Sequence, residues 1–151
     1  MDPDPNFTRM LRVLRGHGNR VTEQRRLICQ ALLEVGGHPT AYDVHGRVTA
    51  NAPTISLATV YTALNALRDA GLIFDLGTTG DGRAHYEVNS EPHANFVCTV
   101  CGRIEDVFDV PVGDLRNGVA RRGHDVRGMR VVLYGTCADC KSRLTSGVSA
   151  N

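Results

Sequence analysis

Ser56-Leu57-Ala58-Thr59-Val60-Tyr61-Thr62-Ala63-Leu64-Asn65-Ala66-Leu67-Arg68-Asp69-Ala70-Gly71 runs directly into Leu72-Ile73-Phe74-Asp75-Leu76, a glycine-rich turn and Ala84-His85-Tyr86-Glu87-Val88. Ser56 suits a helix N-cap, because its hydroxyl can accept from an unsatisfied backbone N–H of the first turn. Leu57, Val60, Leu64 and Leu67 recur at the spacing of one buried helix face, and Gly71 ends the pattern. The opposite face, Ala58, Thr59, Thr62, Asn65 and Arg68, is small or polar. Two apolar runs, Leu72–Leu76 and Ala84–Val88, flank Thr78-Thr79-Gly80-Asp81-Gly82, which is a hairpin signal. A helix with a short-side-chain outer face followed by a hairpin is how a winged helix-turn-helix ends.

The residues upstream supply the helices such a unit requires. Phe7, Met10, Leu11 and Leu14 mark a first helix stopped by Gly16 and Gly18. Thr22 caps a second, lined by Leu27, Ile28, Ala31, Leu32 and Val35 and ended by Gly36-Gly37. Pro39-Thr40 opens a third, with Ala41, Val44 and Val48 inward, and Pro53 interrupts the chain again. Downstream the texture changes: Phe96–Thr99, Ile104–Asp109 and Arg130–Tyr134 read as strands, with a weaker helix over Val112–Arg122 broken by Gly118. Residues after Leu144 read as a loose tail. The expectation is α+β, with a winged-helix domain over 1–88 and a small α/β domain over 89–151, the latter too small to be stable without a staple or a partner.

The 151 residues, 42% hydrophobic and 22% charged, suit a globular protein, and no apolar run approaches the length of a membrane helix. Met1-Asp2-Pro3-Asp4 does not read as the start of a signal peptide, so the expected location is the cytoplasm and no membrane partner is expected. Five cysteines cannot all pair internally, and disulfides are disfavoured in a reducing compartment. Four of them form Cys98-x-x-Cys101 and Cys137-x-x-Cys140, separated by 35 residues, whereas Cys29 lies on the apolar side of its helix and reads as core. Two tight pairs converging in the fold make a closed four-sulfur shell suited to structural zinc. The competing reading is a pair of redox dithiols, but a redox pair needs no second pair and usually opens a helix after a strand.

Net charge is only +1, yet Arg9, Arg12, Arg15, Arg20, Arg25 and Arg26 face the single acid Glu23 between positions 9 and 26. That basic stretch suits phosphates. Behind the Ser56 cap, the side formed by Ala58, Thr59, Tyr61 and Thr62, with Asn65, is slim enough for a major groove and offers hydroxyls, an amide and methyl contacts. Arg83, in the hairpin, is placed to reach an adjacent backbone or minor groove. Arg15, Arg20, Arg25, Ser56 and Arg83 complete the expected contact set.

A second group, His38, His85 and His93 with Glu87 and Asp106, gathers around the junction of the halves. With the amide oxygen of Asn95 it makes an oxygen-rich imidazole–carboxylate set, suited to manganese or ferrous iron rather than a thiolate-seeking metal. An ion there would select one relative orientation of the DNA-reading units. His17, His45 and His124 read as surface residues.

Arg20-Val21-Thr22-Glu23-Gln24-Arg25, His38-Pro39-Thr40-Ala41, Ser56-Leu57-Ala58-Thr59-Val60-Tyr61 and the two thiol pairs together resemble the ferric uptake regulator (Fur) superfamily, over about Phe7 to Cys140. The resemblance implies a homodimeric, metal-dependent transcriptional repressor with an N-terminal winged helix and a C-terminal α/β dimerisation domain. It implies structural Zn2+ on Cys98, Cys101, Cys137 and Cys140, and a regulatory Mn2+ or Fe2+ on His38, Glu87, His93, Asn95 and Asp106. Tyr61 takes the place of the recognition-helix tyrosine that contacts thymine, and the implied partner is a palindromic AT-rich operator controlling metal homeostasis or the peroxide stress response. The peroxide sensors look closest around His38-Pro39-Thr40-Ala41. Glu87 stands where those sensors typically carry aspartate, Asn95 where a second histidine is usual, and Thr62 where arginine is common. Pro92, Ala94 and Met129 replace ligands of a further metal site that many members have.

Three rival readings remain. A zinc- or nickel-responsive regulator of the same superfamily would have more histidine or thiol in its sensing site. A zinc deaminase is faintly imitated by His85-Tyr86-Glu87 before Cys98-x-x-Cys101, but Val97 replaces the required proline and the second thiol pair is left unexplained. A zinc-ribbon interaction module leaves the helix after Ser56 without a purpose. The expectation is therefore a regulator and not an enzyme.

Overall fold

The computed structural model describes residues 4–88, 91–126 and 128–147. Its elements are α1 (Pro5–Gly16), α2 (Glu23–Val35), α3 (Ala41–Thr49), α4 (Leu57–Asp69), β1 (Phe74–Thr78), β2 (Ala84–Glu87), β3 (Ala94–Cys98), β4 (Ile104–Val107), α5 (Val112–Ala120), β5 (Val131–Gly135) and α6 (Ala138–Ser146). The chain divides into two compact units, 1–77 with 83–90 and 78–82 with 91–151, so that the tip of the β1–β2 hairpin groups with the second. The α+β class is as the sequence implies.

In the first unit each helix begins where a side chain can satisfy it. Asp4, Thr22, Thr40 and Ser56 cap α1 to α4, each accepting from a backbone N–H of the first turn. Thr40 and Asp43 form a reciprocal capping box, the Thr40 hydroxyl accepting from the Asp43 N–H at 3.2 Å and the Asp43 carboxylate from the Thr40 N–H at 2.8 Å. The four apolar stripes meet around Leu14, Ile28, Leu32, Val44, Val60, Leu64 and Leu67, all fully buried, with Ile73 added from just before β1 and Tyr86 from β2. Cys29 belongs to this core, and burial pushes its thiol up to about 12. His45 is more than a surface residue: its Nε2 lies 3.1 Å from the Ile55 carbonyl and ties α3 to the turn before α4.

The second unit is built on a three-stranded sheet of order β4-β3-β5, antiparallel on one side of β3 and parallel on the other. Central β3 is buried on both faces, with Ala94, Asn95, Val97 and Cys98 all inside. β5 is an edge strand in which the adjacent Leu133 and Tyr134 are both exposed, at 53% and 61%. The residues after β5 correct the expectation. A helix, α6, runs to Ser146 where only a turn and then a tail from Leu144 were expected, because Cys137 sits at its N-cap and Cys140 inside its first turn. Strand edges also differ: β1 starts at Phe74 rather than Leu72, since Ile73 is spent on the helical core.

Candidate metal centres and nucleic-acid face

Each thiol owes its place to a different piece of backbone. Cys98 ends β3, Cys101 follows in a tight turn closed by the Gly102 N–H on the Cys98 carbonyl (2.9 Å), and Gly102 adopts φ +75°, which a side chain would resist. Cys137 and Cys140 come from the start of α6, and the Cys137 N–H points at the Cys98 sulfur, 3.3 Å away. One Sγ from each of the four cysteines lies within 4.8 Å of the others, with Cys101 and Cys137 at 3.8 Å. A disulfide would need about 2.05 Å. Four sulfurs bound at about 2.3 Å around a tetrahedral ion sit about 3.8 Å apart, so the cluster fits zinc with every coordination position filled. Backbone N–H bonds from Cys101 and Cys137 hold the Cys98 thiol down to about 6, while Cys140, hydrogen-bonded to Cys137 and its other sulfur neighbours, is pushed up. Crowded thiols sharing protons in this way are what a divalent cation would relieve. The second pair does open a helix after a strand, as redox dithiols do, and what sets this cluster apart from them is the convergence of both pairs.

The imidazole–carboxylate residues form one pair in each unit. In the first, the His38 Nε2 lies 3.4 Å from the Glu87 carboxylate, and Glu87 is buried. The 38–40 segment is held beside β2 by a bridge between Thr40 and His85 and by the Tyr86 N–H on the Pro39 carbonyl at 3.0 Å. His85 turns its Nδ1 to the His38 carbonyl at 2.8 Å, which accepts, so this ring braces the segment rather than facing the carboxylate with both nitrogens. In the second unit, the His93 Nε2 lies 3.4 Å from the Asp106 carboxylate and 3.2 Å from the Asn95 amide. Antiparallel pairing of β3 with β4 sets Asn95 directly opposite Asp106. The His93 Nδ1 donates to the Glu91 carbonyl (2.6 Å), which orients the ring with its Nε2 toward Asp106 and Asn95, and Phe108 stacks on the ring at 4.8 Å. A separation of 3.4 Å exceeds the roughly 2.7–2.9 Å of a charge-assisted hydrogen bond. It suits two donors sharing one cation at about 2.1 Å. The Glu91 carbonyl and the Phe108 ring are support that the sequence reading did not include.

On α4 the expected outer face is exposed: Ala58, Tyr61, Thr62 and Asn65 reach solvent, with Thr59 half-buried. Three hydroxyls are engaged locally. Ser56 and Thr59 lie 2.9 Å apart within the cap, and Thr62 donates to the Ala58 carbonyl at 3.0 Å. Arg15 and Arg20 are exposed. Arg25 is half-buried, and one of its Nη atoms donates to the Arg20 carbonyl at 2.7 Å, which fastens the α1–α2 turn. Arg83 lies over the Tyr42 ring, 4.4 Å from its centre, in a cation–π contact.

Comparison with known proteins agrees with this layout. The sequence pattern of the ferric uptake regulator family matches residues 16–134. The peroxide-responsive repressor PerR of Staphylococcus epidermidis is 35% identical over 130 residues, 85% of each chain. The structure of PerR from Streptococcus pyogenes, described as the basis for peroxide sensing and gene regulation, is 34% identical, with a TM-score of 0.51 over 89% of this chain and 92% of that one. The ferric uptake regulator from Pseudomonas aeruginosa, solved with manganese, is 27% identical, with a TM-score of 0.72 over 85% and 98%. This chain belongs to the ferric uptake regulator family, whose members are transcriptional regulators and not enzymes.

Proposed function

We propose that this chain is a metal-dependent transcriptional repressor that binds double-stranded operator DNA as a homodimer when a regulatory Mn2+ or Fe2+ is bound. The observation that carries it is the doubled imidazole–carboxylate pair, His38 with Glu87 in one unit and His93 with Asp106 in the other, each at 3.4 Å. When bound, a divalent cation would supply the attraction that draws both pairs, with the Asn95 amide, to one centre. His38 and Glu87 then travel with the helices and hairpin, and His93 and Asp106 with the sheet, so occupancy selects one orientation of the reading unit. Imidazole with carboxylate and amide oxygen favours manganese or iron over thiolate-seeking metals. The likeness to peroxide-responsive repressors favours a role in the oxidative-stress response. The four-cysteine cluster serves as the structural zinc site.

Homodimerisation through the second unit is supported by its apolar surface: Leu115 and Val119 on α5, and Leu133 and Tyr134 on edge strand β5, are all exposed. A dimer would present two α4 helices to two half-sites, with Tyr61, Asn65 and the methyls of Ala58 and Thr62 toward base edges, and Arg15, Arg20 and Arg83 toward phosphates. A palindromic AT-rich operator follows from that symmetry and from the thymine-reading place of Tyr61. The test is a gel-shift titration on such a duplex with Mn2+, Fe2+, Zn2+ and Ni2+, with and without peroxide. Mn2+ or Fe2+ should drive binding and peroxide should reverse the iron-loaded complex; a response to Zn2+ or Ni2+ alone would assign the chain to uptake control of those metals. His93→Ala should remain folded and dimeric while losing at least tenfold in metal-dependent DNA affinity. A full metal response in that variant would refute the site.

A further inference from the structure

The two thiol loops are joined by more than their sulfurs. Arg103 stands two residues after Cys101, and Asp139 lies inside the second pair, between Cys137 and Cys140. Their side chains meet at 2.8 Å, Nη1 to Oδ2, so each thiol loop contributes one member of an ion pair. The backbone stitches the same place: the Arg103 carbonyl accepts from the Cys98 N–H at 2.8 Å, and the Gly135 carbonyl accepts from the Thr99 N–H at 2.8 Å. Arg103 is therefore fixed at both ends, its backbone on the first ligand and its guanidinium on the loop that carries the last two.

A tetrathiolate around a divalent cation carries a net charge of about −2, and a fixed cation beside it offsets part of that charge. Of the four sulfurs, only that of Cys101 belongs to an exposed residue, and Arg103 lies on its side of the cluster in sequence. We infer that Arg103, held in place by Asp139, is a positioning residue for the four-cysteine centre that latches the two thiol loops together and slows loss of the bound ion. The inference rests on the zinc reading of that cluster. It assigns a role to two side chains that bind no metal themselves.

Both residues are half exposed, at 53%, so their replacement leaves the fold intact and the expected effect is moderate. The full chain is loaded with zinc, its metal content is measured, and zinc release to a chromogenic chelator is then timed at fixed pH. Arg103→Gln should release zinc about five-fold faster than wild type, and Asp139→Asn about three-fold faster, at unchanged circular dichroism. Arg103→Lys, which keeps the charge, should restore most of the retention. The difference between wild type and Arg103→Gln should shrink in 1 M salt, where charge effects are screened beyond about 3 Å. A structural role alone would move neither the lysine rescue nor the salt dependence. Release at the wild-type rate from Arg103→Gln, or failure of lysine to rescue, overturns the latch while leaving the zinc reading standing. A wild-type chain that takes up no zinc overturns both.

Discussion

The two units of this protein are held together by different means. The first gathers sixteen buried residues from four helices and a hairpin into one apolar cluster, and each of its helices carries a side-chain cap. In the second, the buried cluster among the described residues is Cys98, Cys137 and Cys140 with Phe96 packed against it, and Ala94, Val97 and Val112 add a few small apolar side chains. Neither of its helices has a side-chain cap; Pro111 precedes α5, and Cys137 itself begins α6. Where apolar burial and capping are ample, a fully buried Leu or Ile contributes about 1.5–3 kcal/mol and no ion is needed. Where they are scarce, the ligands of an ion take over the core's place, and the cost is dependence on that ion.

The strongest way to break this comparison is Cys98→Ser. Removing one sulfur opens the coordination shell, and structural zinc supplies about 10–16 kcal/mol of apparent folding free energy in small zinc domains. The second unit should therefore unfold, with protease cleavage appearing within 91–147, while 4–88 stays resistant and helical. A variant that loses its zinc yet keeps both units protected would show that the second unit has a sufficient core of its own.

A smaller effect of the opposite kind comes from Leu64→Ala. Leu64 is fully buried at the centre of α4, and truncation there should cost about 2–5 kcal/mol. In denaturant, the transition of the first unit should move by that amount while the midpoint of zinc release stays in place. If both move together, the units unfold as one cooperative body and the contrast between their stabilising forces is wrong.

The same contrast explains what could be read in advance. Thr22, Thr40 and Ser56 announced α2 to α4 because a cap is a local signal, and the apolar spacing that follows each is three helical turns or so of consistent pattern. α6 gave no such signal. Ala138-Asp139-Cys140-Lys141-Ser142-Arg143 buries only Cys140, so its helix is dictated by where the ligands must stand rather than by an apolar stripe. Around the imidazoles, the residue types were legible and their partners were not. The His93 ring is oriented by the Glu91 backbone carbonyl, and a backbone group leaves no mark in sequence. The same holds for Arg25: its type placed it in a basic stretch, but nothing in the sequence says that its guanidinium meets the Arg20 carbonyl.

The smallest expected effect sharpens the comparison by testing a side-chain cap of the first unit. The Asp43 carboxylate accepts from the Thr40 hydroxyl at 2.6 Å and from the Thr40 N–H at 2.8 Å. The Thr40 hydroxyl, first among the causes, and then the backbone N–H hold the carboxyl below its ordinary value, with help from the positive charge of His85 and Arg83. Because the folded value is depressed, the stabilisation is present above the unfolded value of about 4 and is lost as pH falls through the folded one. Asp43→Ala should cost about 1 kcal/mol at pH 7, read from amide exchange in the first turn of α3, which reports on this unit alone. The cost should shrink on acidification below pH 4, where the wild-type carboxylate itself takes up a proton. A cost unchanged down to pH 3 would mean that the cap acts through shape and not charge. A cost that depends on zinc loading would mean that the first unit's helices also lean on the ion, contrary to what their caps and core imply.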